Sequence, residues 1–594
     1  MNPLLVSILL PLVGVGLIWL LSDGSRVAAR WIALGVSLIT LYWATKTTML
    51  TLSGTSPVVD IPWFTSLGVD IRFNLALDGL SLWMFALSAL LSVTAILVSW
   101  EAIAERGPLF YSMLLVLETG MLGVFAARDV LLFYVFFEFT LIPLFFLIGI
   151  WGSEDRRYAA VKFFLFTLAG SMLTFLGMLA IVLLHAHNNP NVGVTFSIPA
   201  ITAGLGEYPL TASQQFWIFL ALFAGFAIKV PLFPLHTWLP LAHVQAPTAG
   251  SVLLAGILLK IGTYGFLRFS MPMLPDATVV CMPWVLWLSA AGIIYGALVA
   301  LAQSDVKRLI AYSSVSHLGY CMLGLFALNR LGMQGGVLQM INHGLSTGGL
   351  FATFGMIYER YHTREIKQLG GLARRIPILS LFMLLFTFSS IGLPGMNGFA
   401  GEFLILLGMF QRGYADAPAL YHFQWTTIAV LAVFGVVLGA WYMLWLYQRV
   451  FFGPLREPPY HGDHGDDHAH AAAHGHDAHA AHGHDAHGHD VHGHDDHGHA
   501  EVALPPGPRD MNWREFWALA PLVVFVFWIG LKPQTFLAPM QADINDVATT
   551  VQAAYKAHEW ETGEVAPAVA SRPAPAAAPA AHAVQQDSEF ARVD

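Results

Sequence analysis

Charged residues are scarce in this sequence. Asp, Glu, Lys and Arg make up 11% of its 594 residues, whereas 56% are hydrophobic. An ordinary soluble domain carries roughly 25% charged residues, so the composition excludes that class. Apolar segments of about 20 residues, the length that crosses a hydrocarbon core of about 30 Å, recur along the chain. We therefore expect an all-α polytopic membrane protein with about 14 transmembrane helices. They are predicted near residues 3–21, 29–51, 78–100, 109–127, 130–150, 160–184, 215–233, 250–270, 279–302, 309–328, 335–358, 378–411, 423–448 and 513–532.

Cysteine is almost absent. The chain has two cysteines, Cys281 and Cys321, and both lie inside predicted spans. An iron–sulfur cluster typically needs four thiolates. The sequence also lacks a Gly-rich dinucleotide fingerprint and a P-loop. We therefore expect no electron carrier, no nucleotide and no other cofactor on this chain, and no nucleic-acid partner.

Lysine and arginine are distributed unevenly between the predicted loops. If both termini lie outside the membrane, most of the 29 Lys and Arg residues fall in loops on the cytoplasmic side. Cytoplasmic loops of membrane proteins carry an excess of these residues. The distribution therefore predicts a multi-pass chain with both termini on the outer side.

The chain divides into six segments by composition. In the outer loop of the first segment, the alternation in VDIRFNLAL predicts a short strand or hairpin. The His/Asp-rich loop and the Ala/Pro-rich end of the tail cannot bury enough apolar surface to fold, so we expect both to be disordered. The segments are 1–108 (three helices and an outer loop), 109–270 and 279–450 (five helices each), 451–512 (a cytoplasmic His/Asp-rich loop), 513–532 (the last helix) and 533–594 (a tail).

The two five-helix segments have the features of repeats. In each, the fourth span is interrupted by proline and glycine, as AIKVPLFPLHTWLP in the first and SSIGLPGMNGFAGEF in the second. Because five is an odd number, the second segment must enter the membrane inverted relative to the first. Inverted repeats with broken helices are typical of transport pathways at the middle of a membrane.

Six ionisable residues lie deep inside apolar spans. A central Lys or acidic residue facing lipid costs roughly 2.5 to 3.5 kcal/mol, so the four Lys and Glu residues would together cost about 10 kcal/mol. That rivals the whole stability of a typical domain, about 5 to 15 kcal/mol. They are therefore either static ion pairs or the lining of a hydrated path that carries protons, and the adjacent helix breaks favour the path. The six are Glu138, Lys229, Lys260, His317, His343 and Glu402.

Two prolines break the helix beside Lys229. Neither Pro231 nor Pro234 has an N–H to donate to the preceding turn. Irregular backbone at membrane depth is tolerated only against protein or beside water. We therefore expect water to reach Lys229, with Glu138 as the carboxylate that controls its proton.

Several long runs resemble the antiporter-like proton-pumping subunits of respiratory complex I. They are FYVFFEFTLIP, RYAAVKFFLFTLAGS, FAIKVPLFPLHTWLPLAHVQAPTAGSVLLAGILLKIGTYG, DVKRLIAYSSVSHLGY and GLPGMNGFAGEF. The resemblance implies proton transfer driven by quinone reduction elsewhere in the complex. It also implies a bacterial inner membrane, and as partners the lipid bilayer and other membrane subunits, especially two antiporter-like paralogues on either side.

The same resemblance implies a role for each buried residue. Glu138 and Lys229 resemble the ion pair of the family and Lys260 its central lysine. His317 and His343 resemble its bridging histidines. Glu402 resembles the last relay, where paralogues usually carry lysine.

Three features depart from this pattern or lie outside it. The family usually reads PDAH where this chain has PLAH, so Leu241 leaves any proton uptake at that position in doubt. The His/Asp-rich loop either binds divalent metal weakly through its imidazoles or is a solvated insertion. Glu118 is a further acid inside a span, either part of the path or a helix contact.

Other functions remain open on sequence grounds. A subunit of a multi-subunit sodium/proton antiporter or of a membrane-bound hydrogenase would share these motifs. A metal-ion transporter fits poorly, because lysines in the path repel cations. A purely structural membrane anchor would leave the buried charges unused.

Overall fold

The protein folds as a bundle of helices with one small sheet. The computed structural model describes residues 2–22, 24–66, 68–189, 193–416, 419–458 and 507–558. The all-α class predicted from the sequence is confirmed. The helices are α1 (Pro3–Leu21), α2 (Arg26–Leu52), α3 (Leu82–Val98), α4 (Gly107–Ala126), α5 (Val130–Phe139), α6 (Leu141–Trp151), α7 (Arg156–Asn188), α8 (Ile198–Glu207), α9 (Ala212–Lys229), α10 (Trp238–Gln245), α11 (Thr248–Met273), α12 (Pro275–Leu301), α13 (Val306–Phe326), α14 (Arg330–Tyr361), α15 (Pro377–Ser390), α16 (Asn397–Tyr414), α17 (Ala419–Phe451), α18 (Trp513–Leu531) and α19 (Gln534–Ala557).

The helices have the length and composition of membrane spans. In the described ranges, 11 helical segments are long and apolar enough to cross a membrane, and α3 and α15 are shorter apolar helices. A helix also occupies each remaining predicted span, in the more polar α14 and α16. The multi-pass architecture is therefore confirmed, whereas the number of crossings and the inverted repeats stay predictions.

The small sheet marks one end of the bundle. Strands β1 (Val59–Ser66) and β2 (Val69–Leu75) form an antiparallel hairpin, and β3 (Val194–Thr195) pairs parallel with β2. Gly68 adopts a φ of 77° at the turn, a backbone conformation that glycine tolerates best. The predicted hairpin is confirmed. We call this end of the bundle the sheet end.

Both predicted helix interruptions are present. α9 stops at Lys229 and the chain becomes helical again at Trp238. The carbonyl that Pro231 cannot serve, that of Ala227, instead accepts the Leu232 N–H at 2.9 Å. Between α15 and α16, Gly392 and Gly395 take positive φ values of 71° and 93°. In both places, the residues that end the helix also suit the turn that follows. Proline lacks the N–H that a regular helix needs, and glycine tolerates a positive φ.

Two further irregularities were not predicted. The span containing Glu138 is interrupted at Thr140, and Pro143 has no N–H for the Phe139 carbonyl one turn earlier. α11 contains two π-helical turns, Leu254–Leu258 and Phe266–Ser270. Such turns occur frequently at functional sites.

The chain after residue 450 contains ordered structure that was not predicted. The tail contains a 24-residue helix, α19, that the sequence analysis missed. The start of the loop that we expected to be disordered is ordered, because Glu457 pairs with Arg375 at 2.6 Å. Residues 459–506, which include the histidine-rich stretch, and residues 559–594 lie outside the described residues, so those predictions stay untested.

Candidate functional site

Lys260 lies at the centre of the bundle between the two π-helical turns of α11. Its side chain is fully buried, and its Nζ is 2.6 Å from Nδ1 of His343. The same ammonium donates to the carbonyl of Ala255. In the π turn the Leu259 N–H bonds the Leu254 carbonyl, five residues back. The irregular helix thus leaves a carbonyl that holds Lys260 against His343.

His317 continues the line from His343. The two imidazole centroids are 5.7 Å apart. Nδ1 of His317 is 3.1 Å from a carboxylate oxygen of Glu402, and its Nε2 is 3.1 Å from the Ser390 hydroxyl. The Tyr442 hydroxyl lies 3.5 Å from the same Nε2. Four of the six predicted residues, Lys260, His343, His317 and Glu402, therefore form one row, with a gap between the two imidazoles.

Close helix contact brings Glu402 into this row. Gly401 precedes it on α16, and a Cβ at that position would lie 2.4 Å from Oε1 of Gln339 on α14. The missing side chain lets the two helices approach, and Gln339 Nε2 donates to Glu402 at 3.0 Å. A small cavity beside Glu402 is lined by His317, Ser390 and Tyr442, among others. Polar groups on several sides make this cavity suitable for water.

Lys229 and Glu138 are arranged more loosely. Lys229 is 3% exposed, and its Nζ lies 4.7 Å from the ring centroid of Phe137. No carboxylate in the described part of the chain comes within 4.0 Å of it, so the expected ion pair is not in contact. Glu138 is near enough to act on Lys229 electrostatically. One carboxylate oxygen of Glu138 has no hydrogen-bond partner among the described residues.

The last turn of α9 connects this pair to the centre of the bundle. Gly262, two residues beyond Lys260, packs directly on that turn, because a Cβ there would lie 2.7 Å from the Phe226 carbonyl. The end of α9 and the middle of α11 are therefore adjacent. The structure brings Lys229 alongside the row without joining it by a direct hydrogen bond in the described residues.

The sequence analysis missed two buried basic residues on the other side of Lys260. His243 on α10 is fully buried, stacks on Phe351 at 4.6 Å, and has no hydrogen-bond partner for either ring nitrogen in the described ranges. Lys307, which the sequence suggested was in a loop, is buried and donates to the Ala246 carbonyl at 3.2 Å. Both extend the line toward the end opposite the sheet. The PLAH motif that draws attention to Leu241 also contains His243.

Glu118 lies apart from the row. It is fully buried on α4, and one carboxylate oxygen accepts the Ser37 hydroxyl of α2 at 2.6 Å. Its other oxygen has no partner in the described part of the chain. This contact favours the helix-packing interpretation, and a role in the path stays a prediction.

The site thus combines broken helices with a line of buried acids and bases inside a membrane bundle. That combination defines an ion-translocating membrane subunit. The chain belongs to the family described as NADH:quinone oxidoreductase/Mrp antiporter, whose model matches residues 127–432. The predicted resemblance is therefore confirmed.

Similar sequences come from bacteria and from algae. The chain is 44% identical over 466 residues to NADH-quinone oxidoreductase subunit M of Rhodobacter capsulatus, covering 76% of this chain and 87% of that one. It is 40% identical over 463 residues to subunit M of Escherichia coli (strain K12), covering 76% and 87%. It is 36% identical over 540 residues to NADH-ubiquinone oxidoreductase chain 4 of Chondrus crispus, covering 90% and 95%.

Solved structures share the fold. A chain of respiratory complex I from Thermus thermophilus with bound NADH superposes with a TM-score of 0.74 at 29% identity, covering 92% of this chain and 99% of that chain. A chain of the Mrp complex from a Dietzia species gives a TM-score of 0.72 at 21% identity, covering 93% and 100%. The second likeness concerns the fold alone.

Proposed function

We propose that this chain is a proton-translocating membrane subunit of NADH:quinone oxidoreductase, and that protons move along Glu138, Lys229, Lys260, His343, His317 and Glu402. The observation that carries the proposal is the contact of Lys260 with His343 at 2.6 Å, in line with the contact of His317 with Glu402 at 3.1 Å. Quinone reduction in other subunits supplies the free energy. This chain supplies only groups that hold and pass protons.

The geometry suggests an order of proton steps through the row. The Lys260 ammonium donates to Nδ1 of His343, leaving a neutral amine and an imidazolium. The imidazolium then passes a proton toward His317, across a gap that needs a water or a ring rotation because the centroids are 5.7 Å apart. His317 finally protonates Glu402 through the contact of Nδ1 with the carboxylate. Imidazole suits both middle steps, since it binds and releases protons near neutral pH.

Glu138 and Lys229 act as the switch for this row. A carboxylate that moves from electrostatic range into contact with Lys229 holds the positive charge there. When Glu138 moves away, the charge on Lys229 repels the proton on Lys260 and favours its transfer to His343. The attraction between Glu138 and Lys229 in contact would be about 4 kcal/mol, the value for two unit charges 4 Å apart at an effective dielectric constant of 20. The carboxylate oxygen of Glu138 that has no hydrogen-bond partner among the described residues supports this movement.

We place the chain in a bacterial inner membrane, with both termini on the outer side. The sheet end then faces the outer aqueous phase and Lys307 faces the cytoplasm. Other membrane subunits of the complex are the partners, with an antiporter-like paralogue on either side. The excess of Lys and Arg in the loops opposite the sheet supports this orientation. We expect no cofactor on the chain and at most weak metal binding by residues 461–500.

A subunit of a sodium/proton antiporter is the second candidate, since the matching family includes Mrp antiporters. Identities of 40% and 44% to oxidoreductase subunits favour the first proposal. Copurification with flavin and iron–sulfur subunits would support the oxidoreductase. Sodium-dependent proton exchange without NADH oxidation would favour the antiporter.

The experiment uses the assembled complex in proteoliposomes. Glu138→Gln and Lys229→Ala should each lower NADH-driven proton pumping by on the order of 10²-fold, because each removes a group that controls proton transfer. The amount of assembled complex should not change. Glu118→Gln is the comparison variant, since it changes a buried acid that bonds Ser37 on α2; an equal loss of pumping there would put Glu118 in the path. Normal proton-to-electron ratios in both Glu138→Gln and Lys229→Ala would overturn the proposal.

A further inference from the structure

An open cavity of about 670 Å³ lies at the sheet end of the bundle. Asp546 and Thr549 of α19 line it and are exposed, so water reaches its interior. Asp78, Arg128, Arg268 and Asp543 also line it. In the orientation proposed above, this cavity belongs to the outer aqueous phase.

The cavity comes close to Lys260 along one helix. Lys260, Tyr264 and Arg268 are spaced by four residues on α11, so the helix carries them on one side, with about 6 Å of rise per step. Lys260 and Tyr264 are buried, whereas Arg268 reaches the cavity. About 12 Å of helix therefore separates the backbone of Lys260 from that of Arg268, and the Lys260 ammonium, which bonds the Ala255 carbonyl, lies on the far side of Lys260 from the cavity. Tyr264 packs between Phe125 and Phe133, at ring distances of 5.2 and 6.3 Å.

On α11, Arg268 connects the Tyr264 hydroxyl to the cavity through its hydrogen bonds. Its Nε donates to the Tyr264 hydroxyl at 3.0 Å, and its Nη2 donates to Asp78 at 2.8 Å. Asp78 also accepts from Arg128 at 2.5 Å. Because its Nε bonds the Tyr264 hydroxyl and its Nη2 bonds Asp78, the guanidinium lies between Tyr264 and a carboxylate that lines the cavity. A positive charge therefore separates the Tyr264 hydroxyl from the carboxylate of Asp78.

We propose that Arg268 is an electrostatic barrier that prevents protons on Lys260 from exchanging with the outer phase through this cavity. The inference depends on the proposed function, because it takes Lys260 as a proton carrier. A guanidinium stays protonated throughout, so it cannot pass the proton on. A second positive charge about 6 Å from it is disfavoured by roughly 100-fold at an effective dielectric constant of 20. Positioned arginines exclude protons from membrane pores in the same way.

Without the barrier, a leak would run through Tyr264 once the Lys260 side chain turns from the Ala255 carbonyl toward it. Lys260 would lose its proton to a water molecule and become a neutral amine. The Tyr264 hydroxyl would accept that proton while giving its own to water on the cavity side. Asp543 or Asp78 would take it up and release it outside, so charge and protons balance.

The test measures passive proton leak through the purified complex in proteoliposomes, without NADH. A potassium gradient with valinomycin sets the membrane potential, and trapped pyranine reports the internal pH. Arg268→Gln should raise the leak by tenfold or more over the unmodified complex, since the barrier charge is gone. The double variant Arg268→Gln with Lys260→Met should be as tight as the unmodified complex, because the proton carrier is also gone.

Two charge-matched variants separate the barrier from simple packing. Asp78→Asn removes the same ion pair but keeps the cation, so it should stay tight, as should Arg268→Lys. A leak in Asp78→Asn or Arg268→Lys equal to that of Arg268→Gln would overturn the proposal. So would a tight Arg268→Gln complex, or a leak that survives Lys260→Met. If Arg268→Gln does not assemble, Arg268→Met, which also lacks the charge, takes its place with the same expected leak, and a tight Arg268→Met complex would overturn the proposal.

Failure of this inference is distinguishable from failure of the proposed function. If only the barrier idea is wrong, Arg268→Gln stays tight while Lys229→Ala still abolishes pumping. If the proposed function is wrong, Lys229→Ala pumps normally.

Discussion

The two halves of the buried line are built differently. In the half that ends at Glu402, His317 has partners within hydrogen-bond distance at both ring nitrogens, and Gln339 holds the carboxylate. In the other half, Lys229 faces an aromatic ring, and Glu138 stays at electrostatic distance. A hydrogen-bonded row has one favoured geometry, whereas a loosely held ion pair can change its distance at little cost. The comparison suggests that the Lys229 half switches and the Glu402 half conducts.

Breaking the junction between the halves should have the largest effect. His343 is the residue that touches Lys260 and faces His317. His343→Leu keeps a similar volume but removes both ring nitrogens, so we expect NADH-driven pumping to fall by on the order of 10²-fold. The measurement is the proton-to-electron ratio of the reconstituted complex.

His185→Leu is the control for this variant. His185 is likewise a buried histidine, but it lies on α7, away from the row. Neither of its ring nitrogens has a hydrogen-bond partner among the described residues. Equal losses of pumping in His343→Leu and His185→Leu would mean that replacing any buried histidine lowers pumping. The contact of His343 with Lys260 would then not be the cause. The contrast between switching and conducting halves would then fail.

A milder change within the conducting half should have an intermediate effect. Gln339→Leu removes the amide that donates to Glu402. A hydrogen bond to a charged group contributes about 1.5 to 3 kcal/mol, so we expect pumping to slow by about tenfold. The measurement is the initial rate of acidification at saturating NADH.

Gln334→Leu supplies the matched control on the same helix. Gln334 is buried, and its amide nitrogen has no partner among the described residues. An unchanged rate in Gln339→Leu would show that the row does not depend on its hydrogen-bond donors.

The smallest effect concerns how α19 docks on the rest of the bundle. Near its start, Asp543 accepts the Gly79 N–H at 2.6 Å beside Asp78. Near its end, Tyr555 lies under the guanidinium of Arg412 at 4.1 Å. Burial, followed by the charge of Asp78, raises the pKa of Asp543 to about 6 from an ordinary value of 3.8. The docked helix therefore binds a proton that the undocked helix releases between about pH 4 and pH 6.

The sign of this linkage favours docking at low pH. Docking at the Asp543 end should be strongest below pH 4, weaken as the pH rises to 6 and stay constant above it, by at most about 3 kcal/mol. A cysteine at the buried Met540 position, in a chain lacking Cys281 and Cys321, should react with a charged maleimide about tenfold faster at pH 7.5 than at pH 5, after correction for thiol ionisation. Asp543→Asn should remove the difference. A cysteine at Val551 should show no such change, and an equal change at both ends would contradict the assignment to Asp543.

Much of this arrangement could be predicted from the sequence because its signals are local. Pro231, Pro234 and the GLPG stretch break helices wherever they occur, and both breaks are present. The cost of burying charge identifies the six ionisable residues from the sequence alone. Four of them meet in one row.

The remaining features depend on tertiary contacts that leave weak local signals. α19 mixes polar and apolar residues and has no long apolar run, so it looked like part of the tail. Lys307 follows Asp305 at the start of a helix, which is the pattern of a solvated loop, yet α10 covers it. The separation of Glu138 from Lys229 depends on the interruption at Thr140 and on the packing of Phe137, neither of which the charge pattern encodes.

The two π-helical turns of α11 have a mechanical consequence. Each turn holds one residue more than an α-helical turn would. If the surplus residue of the first turn moves toward the second by one turn, the short stretch that it passes rotates about the helix axis by about 100°, while both ends of the helix stay where they are. Lys260 lies on that stretch, so its ammonium can swivel from one neighbour to another with no tilt of the surrounding bundle.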